Sequence, residues 1–356
     1  MVLGPHPTDA QHPDADGPGR DPRSPAGGQA SLAVRAREIG RRLVADLERA
    51  EALSSGWADE KLGYALVSSA MDRALDHLTA IDCWGKENQL PSGEFWAAAG
   101  SLLVVGWLHE RARFKPRGYA GDFEMFERFW QRTCVAHPLG RLFDRYFQGQ
   151  AAVEAVRART ERSAATLVER CLAAPTGRAF HVVSVGCGPG LDVRLALDSL
   201  PVSDRRRVRL TLLDLDQAAL DRAQECLTTL IDAGQLVTLR ENLFRLVDKP
   251  RAAEVLAEAD FLLCSGLFDY LPDEAAAKLL RLFWQRLAGG GMLSVGNFAP
   301  HNPTRAYMEW IGNWYLIYRT AADLERLALT AGLPRASFTV VAERLGIDLF
   351  LHAENG

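Results

Sequence analysis

A chain of 356 residues with 48% apolar side chains is too long for one hydrophobic core, since single cores stop growing at about 250–300 residues, so two domains are expected. Its 41 basic and 45 acidic residues leave a net charge of −4 and no field of either sign, which argues against a nucleic-acid partner. The six cysteines (Cys83, Cys134, Cys171, Cys187, Cys226, Cys264) form no CxxC pair and have no histidine spaced to complete a metal site. They read as reduced, buried side chains, which suits the cytoplasm.

Residues 1–30 are crowded with Pro, Gly, Asp and His and predict a disordered tail, because they bury too little to offset their ordering entropy. No charged start followed by an apolar stretch and a cleavage site is visible there, so no secretory signal is expected. From Ser31 the apolar residues Leu32, Val34, Ile39, Leu43 and Leu47 fall near one helical stripe. Further helices are expected over Lys61–Leu78, Ser92–Arg111 and Met125–Cys134, with a long connecting helix from Gln150 to Ala173. The most apolar run, Phe95–Leu108, falls short of the roughly 20 residues of a membrane span and reads as a core helix. Residues 31–175 are therefore assigned to an all-helical N-terminal domain.

After Pro175-Thr176-Gly177 short β-rich runs alternate with amphipathic helices: His181–Val185, Val208–Leu213, Leu236–Arg240, Asp260–Cys264 and Met292–Val295. Such alternation predicts βαβ units and a parallel sheet. Two last runs, Ser337–Ala342 and Asp348–Leu351, are joined by too short a turn for a parallel crossover and must pair antiparallel. The fold class that follows is α/β, a doubly wound, mostly parallel seven-stranded sheet over residues 176–356.

The sharpest motif is Gly186-Cys187-Gly188-Pro189-Gly190, between a buried strand and a helix. Alternate glycines let main chain lie close beneath a ligand, and the helix start behind them offers free N–H groups. The spacing is GxGxG, whereas a dinucleotide site wants GxGxxG. The next strand ends at Asp214, where a doubly wound domain presents a carboxylate to ribose hydroxyls. Asp216 either shares that work or caps the following helix. The third strand closes with Glu241-Asn242-Leu243, placing Asn242 and Leu243 where an adenine would lie. After the fourth strand come Ser265, Asp269 and Tyr270, for which helix capping by Asp269 is the structural alternative.

Val183–Gly190, Asp214, Asn242 and the end of strand four resemble class I S-adenosylmethionine (SAM)-dependent methyltransferases, over roughly Ala179–His352. The resemblance implies SAM as cofactor, held by Gly186, Gly188, Gly190, Asp214, Asp216, Asn242, Leu243 and Ser265. One departure is Ser184, where the family often carries an acid that reaches toward the methionine amino group. Phe114–Asp122, Ser265–Leu271, Gly296-Asn297-Phe298 and Trp314–Arg319 are similar to a bacterial subgroup described as 3-hydroxypalmitic acid methyl ester synthases, and the architecture is similar to azetidine-2-carboxylate synthases. On that likeness Tyr119 and Asp122 belong to a lid, with a simple interhelix turn over Gly118–Asp122 as the alternative, Tyr315 to the wall of an acceptor pocket, with core packing of the aromatics of Tyr307–Tyr318 as the more common alternative, and Asp269, Tyr270 and Asn297 to the catalytic set. Arg319 either pairs with a ligand carboxylate or makes a salt bridge, and Arg157 and Arg159 invite the same two readings.

The leading expectation is carboxyl O-methylation of a hydroxy fatty acid, with a small-molecule acceptor, no membrane span and no metal. A carboxylate is already ionised at neutral pH and needs no general base. The alternatives are cyclisation of SAM with release of methylthioadenosine, and a SAM-binding regulator without turnover.

Overall fold

The computed structural model describes residues 25–242, 256 and 258–356. Most of the tail expected over 1–30 lies outside the described residues, as does Leu243; the first helix starts at Pro25. Contacts divide the chain into two compact units that exchange segments. One comprises residues up to Gly121, Cys134–Phe147 and Arg305–Tyr315, and the other Asp122–Thr133, Gln148–Thr304 and Leu316–Gly356.

The first unit is helical: α1 (Pro25–Leu53), α2 (Glu60–Thr79), α3 (Gln89–Leu103), α4 (Trp107–Phe114) and most of α6 (Pro138–Gln148), with a π-helical turn at Tyr307–Ile311. Leu43, Leu47, Met71, Leu78, Phe95, Phe143 and Trp310 fill its core. The single helix expected over Ser92–Arg111 is two, broken between Leu103 and Trp107. The break is stabilised by Asp144, whose buried carboxylate accepts from Leu108 N at 2.9 Å and Val135 N at 3.0 Å, in place of the helical ladder. Helix α6 was not expected. Its apolar stripe of Leu139, Leu142, Phe143, Tyr146 and Phe147 keeps helical spacing, and all five are buried.

The second unit contains α5 (Phe123–Gln131), α7 (Ala151–Ala173) and a seven-stranded sheet. The strands are β1 (Phe180–Val185), β2 (Val208–Asp214), β3 (Leu236–Arg240), β4 (Ala259–Cys264), β5 (Leu287–Phe298), β6 (Phe338–Ala342) and β7 (Asp348–Glu354), in the order β3-β2-β1-β4-β5-β7-β6. Strands β1 to β5 pair parallel, and β7 runs antiparallel between β5 and β6. The hairpin expected at the carboxyl end is therefore present. Between the strands lie α8 (Leu191–Ser199), the single turn α9 (Val202–Arg205), α10 (Gln217–Leu227), α11 (Asp273–Trp284) and α12 (Ala321–Ala331).

Adjacent strand residues alternate between two cores, as the pleat requires. Val183, Leu262 and Leu293 pack with Leu279, Leu280 and Phe283 of α11 and Leu327 of α12. Val182, Leu210 and Leu263 pack with Leu167 of α7, Val193 and Leu197 of α8 and Leu220 of α10. Helices thus cover both faces, which is why β4 is buried along its whole length and reads as a nearly unbroken apolar run. This is a doubly wound, Rossmann-like sheet that closes on an antiparallel hairpin at its carboxyl end.

Candidate cofactor site

The carboxyl ends of β1, β2, β4 and β5 gather most of the residues singled out in the sequence. Gly186, Gly188 and Gly190 all adopt the left-handed conformation, at φ of 64°, 52° and 67°. A side chain there would strain the bend. The loop is tied to β2 by Gly186 N and Cys187 N, which donate to Leu213 O at 2.8 and 3.1 Å. A Cβ built on Gly188 would meet nothing within 4 Å, so space lies open over the bend, whereas one on Gly190 would touch Ala223 and Leu227 of α10 at 3.4 Å. The first of these glycines leaves room for a ligand and the second lets two helices approach.

Asp214 ends β2 with its carboxylate accepting from Gly188 N at 2.8 Å and Asp216 N at 3.0 Å. Burial pushes its carboxyl above the ordinary value, the Asp216 charge adds to that, and the backbone donors work against both. Each oxygen has a second acceptor direction, which suits a pair of ribose hydroxyls. Asp216 also accepts from Ala218 N at 3.0 Å and so caps α10. Asn242 stands two residues beyond β3, and Ser265 follows β4 directly.

Asp269 does not cap α11. It is buried in a short turn, Phe268–Tyr270, and its carboxylate accepts from Phe298 N at 2.7 Å. Phe298 is the register partner of Asp348 across β5 and β7. Asp348 is fully buried and accepts from Arg159 Nη1 at 3.0 Å. Burial pushes both carboxyls up, their mutual repulsion adds to the Asp269 shift, and the Arg159 guanidinium opposes it. Arg159 lies between the rings of Phe126 and Phe298, at 5.7 and 5.9 Å. Tyr270 is half-buried on the same turn.

Asn297 and Arg319 form a separate clamp. Arg319 is buried and donates to Asn297 Oδ1 at 2.7 Å, Phe268 O at 2.8 Å, Leu271 O at 2.6 Å and Asp273 Oδ1 at 2.7 Å. The Asn297 amide donates to Phe298 O and Ile317 O, both at 3.0 Å. The carboxylate partner of Arg319 is thus Asp273 of the protein itself. Arg157 is used likewise, donating to Phe129 O at 2.8 Å and Glu154 Oε2 at 2.7 Å. Asp122 caps α5 by accepting from Glu124 N at 3.1 Å. Tyr119 and Tyr315 belong to the helical unit, where burial pushes the Tyr315 hydroxyl up to about 12.

Two residues near the bend escaped the sequence reading. Asp192, in the first turn of α8, is half-buried and accepts from Ser265 Oγ at 3.3 Å, and Ser163 Oγ lies 3.4 Å from Ser265 Oγ. Burial raises the Asp192 carboxyl, and the Arg159 charge counteracts this. A signal was present for Ser163, which stands one helical turn after Arg159 and so shares its face of α7. Among the described residues no cluster of His, Cys, Asp and Glu has the makings of a metal centre, the cysteines are free thiols, and no helix is long and apolar enough to cross a membrane.

No family model and no curated protein matches this chain. Solved structures do. A possible exported protein from Bordetella parapertussis superposes with a TM-score of 0.54 at 19% identity, over 94% of this chain and 97% of that one. The pyocyanin biosynthetic protein PhzM matches at 0.42 and 17% identity, over 93% and 99% of the two chains. The magnesium protoporphyrin IX methyltransferase of Synechocystis PCC 6803, solved with bound SAH, matches at 0.43 and 16% identity, over 58% and 88%.

Proposed function

We propose that this chain is a SAM-dependent methyltransferase acting on a small-molecule acceptor. The observation that carries it is the open glycine bend laced to Asp214, a carboxylate at the tip of the adjacent strand of a class I methyltransferase sheet. The donor set fits the cofactor: main chain under the bend, Asp214 for the ribose, Asn242 for the adenine, and Asp192 with Ser265 beside the bend. That methyltransferases solved with SAM or SAH resemble the chain agrees with this choice of ligand.

When bound, SAM would supply a sulfonium-activated methyl group for direct displacement. What falls to the protein is alignment and exclusion of water. Asp269 and Tyr270 would face the reacting centre from the turn after β4, and the Asn297–Arg319 clamp would hold that turn against the end of β5. The acceptor we favour is the carboxylate of an apolar acid such as a hydroxy fatty acid, because methyl ester formation asks for no general base.

The test is incubation with SAM alone and then with a panel of apolar acids, with mass spectrometry of every small product. Acceptor-dependent S-adenosylhomocysteine and a methyl ester support transfer. Methylthioadenosine formed without acceptor shows intramolecular cyclisation instead. Tight binding of unconsumed SAM throughout shows a regulator, and calorimetry that detects no SAM affinity overturns the whole assignment.

A further inference from the structure

The helical unit carries a feature that the cofactor site does not use. An open trough of about 370 Å³ runs along α3, its lining including Gly93, Trp96, Ala97, Gly100, Arg113 and Phe114. Its volume lies in the range of ligand sites, roughly 300–1,000 Å³. Its lining joins the largely buried Trp96 indole to the small residues Gly93, Ala97 and Gly100, and Phe114 stands 63% exposed with its ring edge-on to Trp96 at 5.9 Å.

The end of the trough is electrically uncompensated. Arg113 stacks on the Trp96 ring at 5.0 Å and donates to Ser92 Oγ at 2.6 Å. Two residues on, the Lys115 ammonium donates to Asn313 O at 2.7 Å. Among the described residues no carboxylate pairs with either cation. Glu309, the nearby acid, is committed to Arg305 Nε and Gly85 N, both at 2.7 Å. Partial burial lowers Arg113 to about 10 and Lys115 to about 8, the latter helped by the Arg113 charge. Half-buried like charges are costly to keep together without a counter-ion. Lys115 and Asn313 also both hold left-handed backbone, at φ of 48° and 49°. Such strain in side-chain-bearing residues gathers at ligand sites.

We propose that this trough binds a carboxylate with a hydrocarbon flank, the carboxylate on Arg113 within the field of the nearby Lys115 charge, and the hydrocarbon along Trp96, Ala97 and Gly100. A guanidinium already fixed by stacking receives a carboxylate with little further ordering, and the apolar floor supplies affinity that a bare anion would lack. The inference concerns the helical unit alone and stands whether or not the cofactor assignment does.

The test is calorimetry on the full chain without SAM, using dodecanoate, dodecan-1-ol and butanoate as probes. Dodecanoate should bind, and dodecan-1-ol and butanoate should each bind at least tenfold more weakly, because each lacks one half of the recognition. Arg113→Met should weaken dodecanoate at least tenfold while leaving the dodecan-1-ol value in place. Should that variant fold poorly, Ala97→Trp fills the trough from an exposed position and should abolish dodecanoate binding with the melting curve intact. SAM affinity, measured on the same samples, should be unchanged by either substitution. Equal affinity for acid and alcohol, an unaffected Ala97→Trp variant, or a trough occupied by a second copy of the chain with no dodecanoate affinity would overturn the assignment.

Discussion

Gly266→Ala tests whether the buried charges beside the candidate site act as one unit. A Cβ at this position would lie 2.8 Å from Arg159 Nη2, about 0.6 Å inside ordinary contact at 3.4 Å. The end of an arginine side chain usually yields to such an intrusion. Here it is held by Asp348 Oδ2 at 3.0 Å and enclosed by Phe126 and Phe298, with only 7% of the residue exposed. If the guanidinium keeps one strained hydrogen bond, the loss is that of a charged hydrogen bond, about 1.5–3 kcal/mol. If it leaves Asp348 altogether, a buried carboxylate stands alone and the loss approaches about 3–5 kcal/mol. Urea unfolding of Gly266→Ala should therefore show a deficit of about 2–4 kcal/mol. In an Arg159→Leu background, where nothing is left to displace, the same substitution should cost under about 0.5 kcal/mol. A single variant as stable as the parent, or a cost that persists in the Arg159→Leu background, would refute the steric route from Gly266 through Arg159 to Asp348.

Asp214→Ala should weaken SAM by about 1–3 kcal/mol, or roughly 5–150-fold, in calorimetry, because it removes both the proposed ribose acceptor and the tether of the Gly188 amide. Asp269 and Asp348 are both raised by burial, so each folded carboxyl favours its proton; stability from these groups is complete below the unfolded value of about 4 and declines as pH rises above it. Asp269→Asn should flatten that decline in urea unfolding measured from pH 4 to pH 8, and an unchanged slope would exclude Asp269 as a contributor. Arg319→Met should cost about 3–5 kcal/mol, since it strips the buried carbonyls of Phe268 and Leu271 and the Asn297 amide oxygen of their donor. A much smaller loss would mean that water takes over those acceptors.

The sheet was readable from the chain because each strand lies in one uninterrupted stretch bounded by turn residues, and the hairpin because its connection is short. The glycine bend and Asp214 were readable for the same reason, since both sit at the ends of consecutive strands. Boundaries failed where a distant residue decided them. The break after Leu103 depends on Asp144, 36 residues beyond the amide it accepts from, and no periodicity announces that. Segment exchange between the units is equally hidden: α5 carries a strongly amphipathic pattern, yet nothing in it says that it clusters with the sheet unit while α6 clusters with the helical one.

The residues around Asp269 were the least legible, and the reason lies in topology. Parallel strands present their carboxyl ends to the ligand edge, so groups just after β1, β2 and β4 are natural candidates. Strand β7 runs the other way, and reversal brings its first residue, Asp348, to the edge where β5 ends at Phe298. An acid that a linear reading assigns to the second strand of a terminal hairpin thus stands beside Asp269, and Arg159, 189 residues earlier, comes in from α7 to balance it. Replacing such a buried ionic group with apolar side chains is often neutral or stabilising, so stability alone gives weak grounds for having it. On the proposed cofactor reading, two raised carboxyls sharing one cation would hold the turn after β4 in place and keep a titratable group beside it.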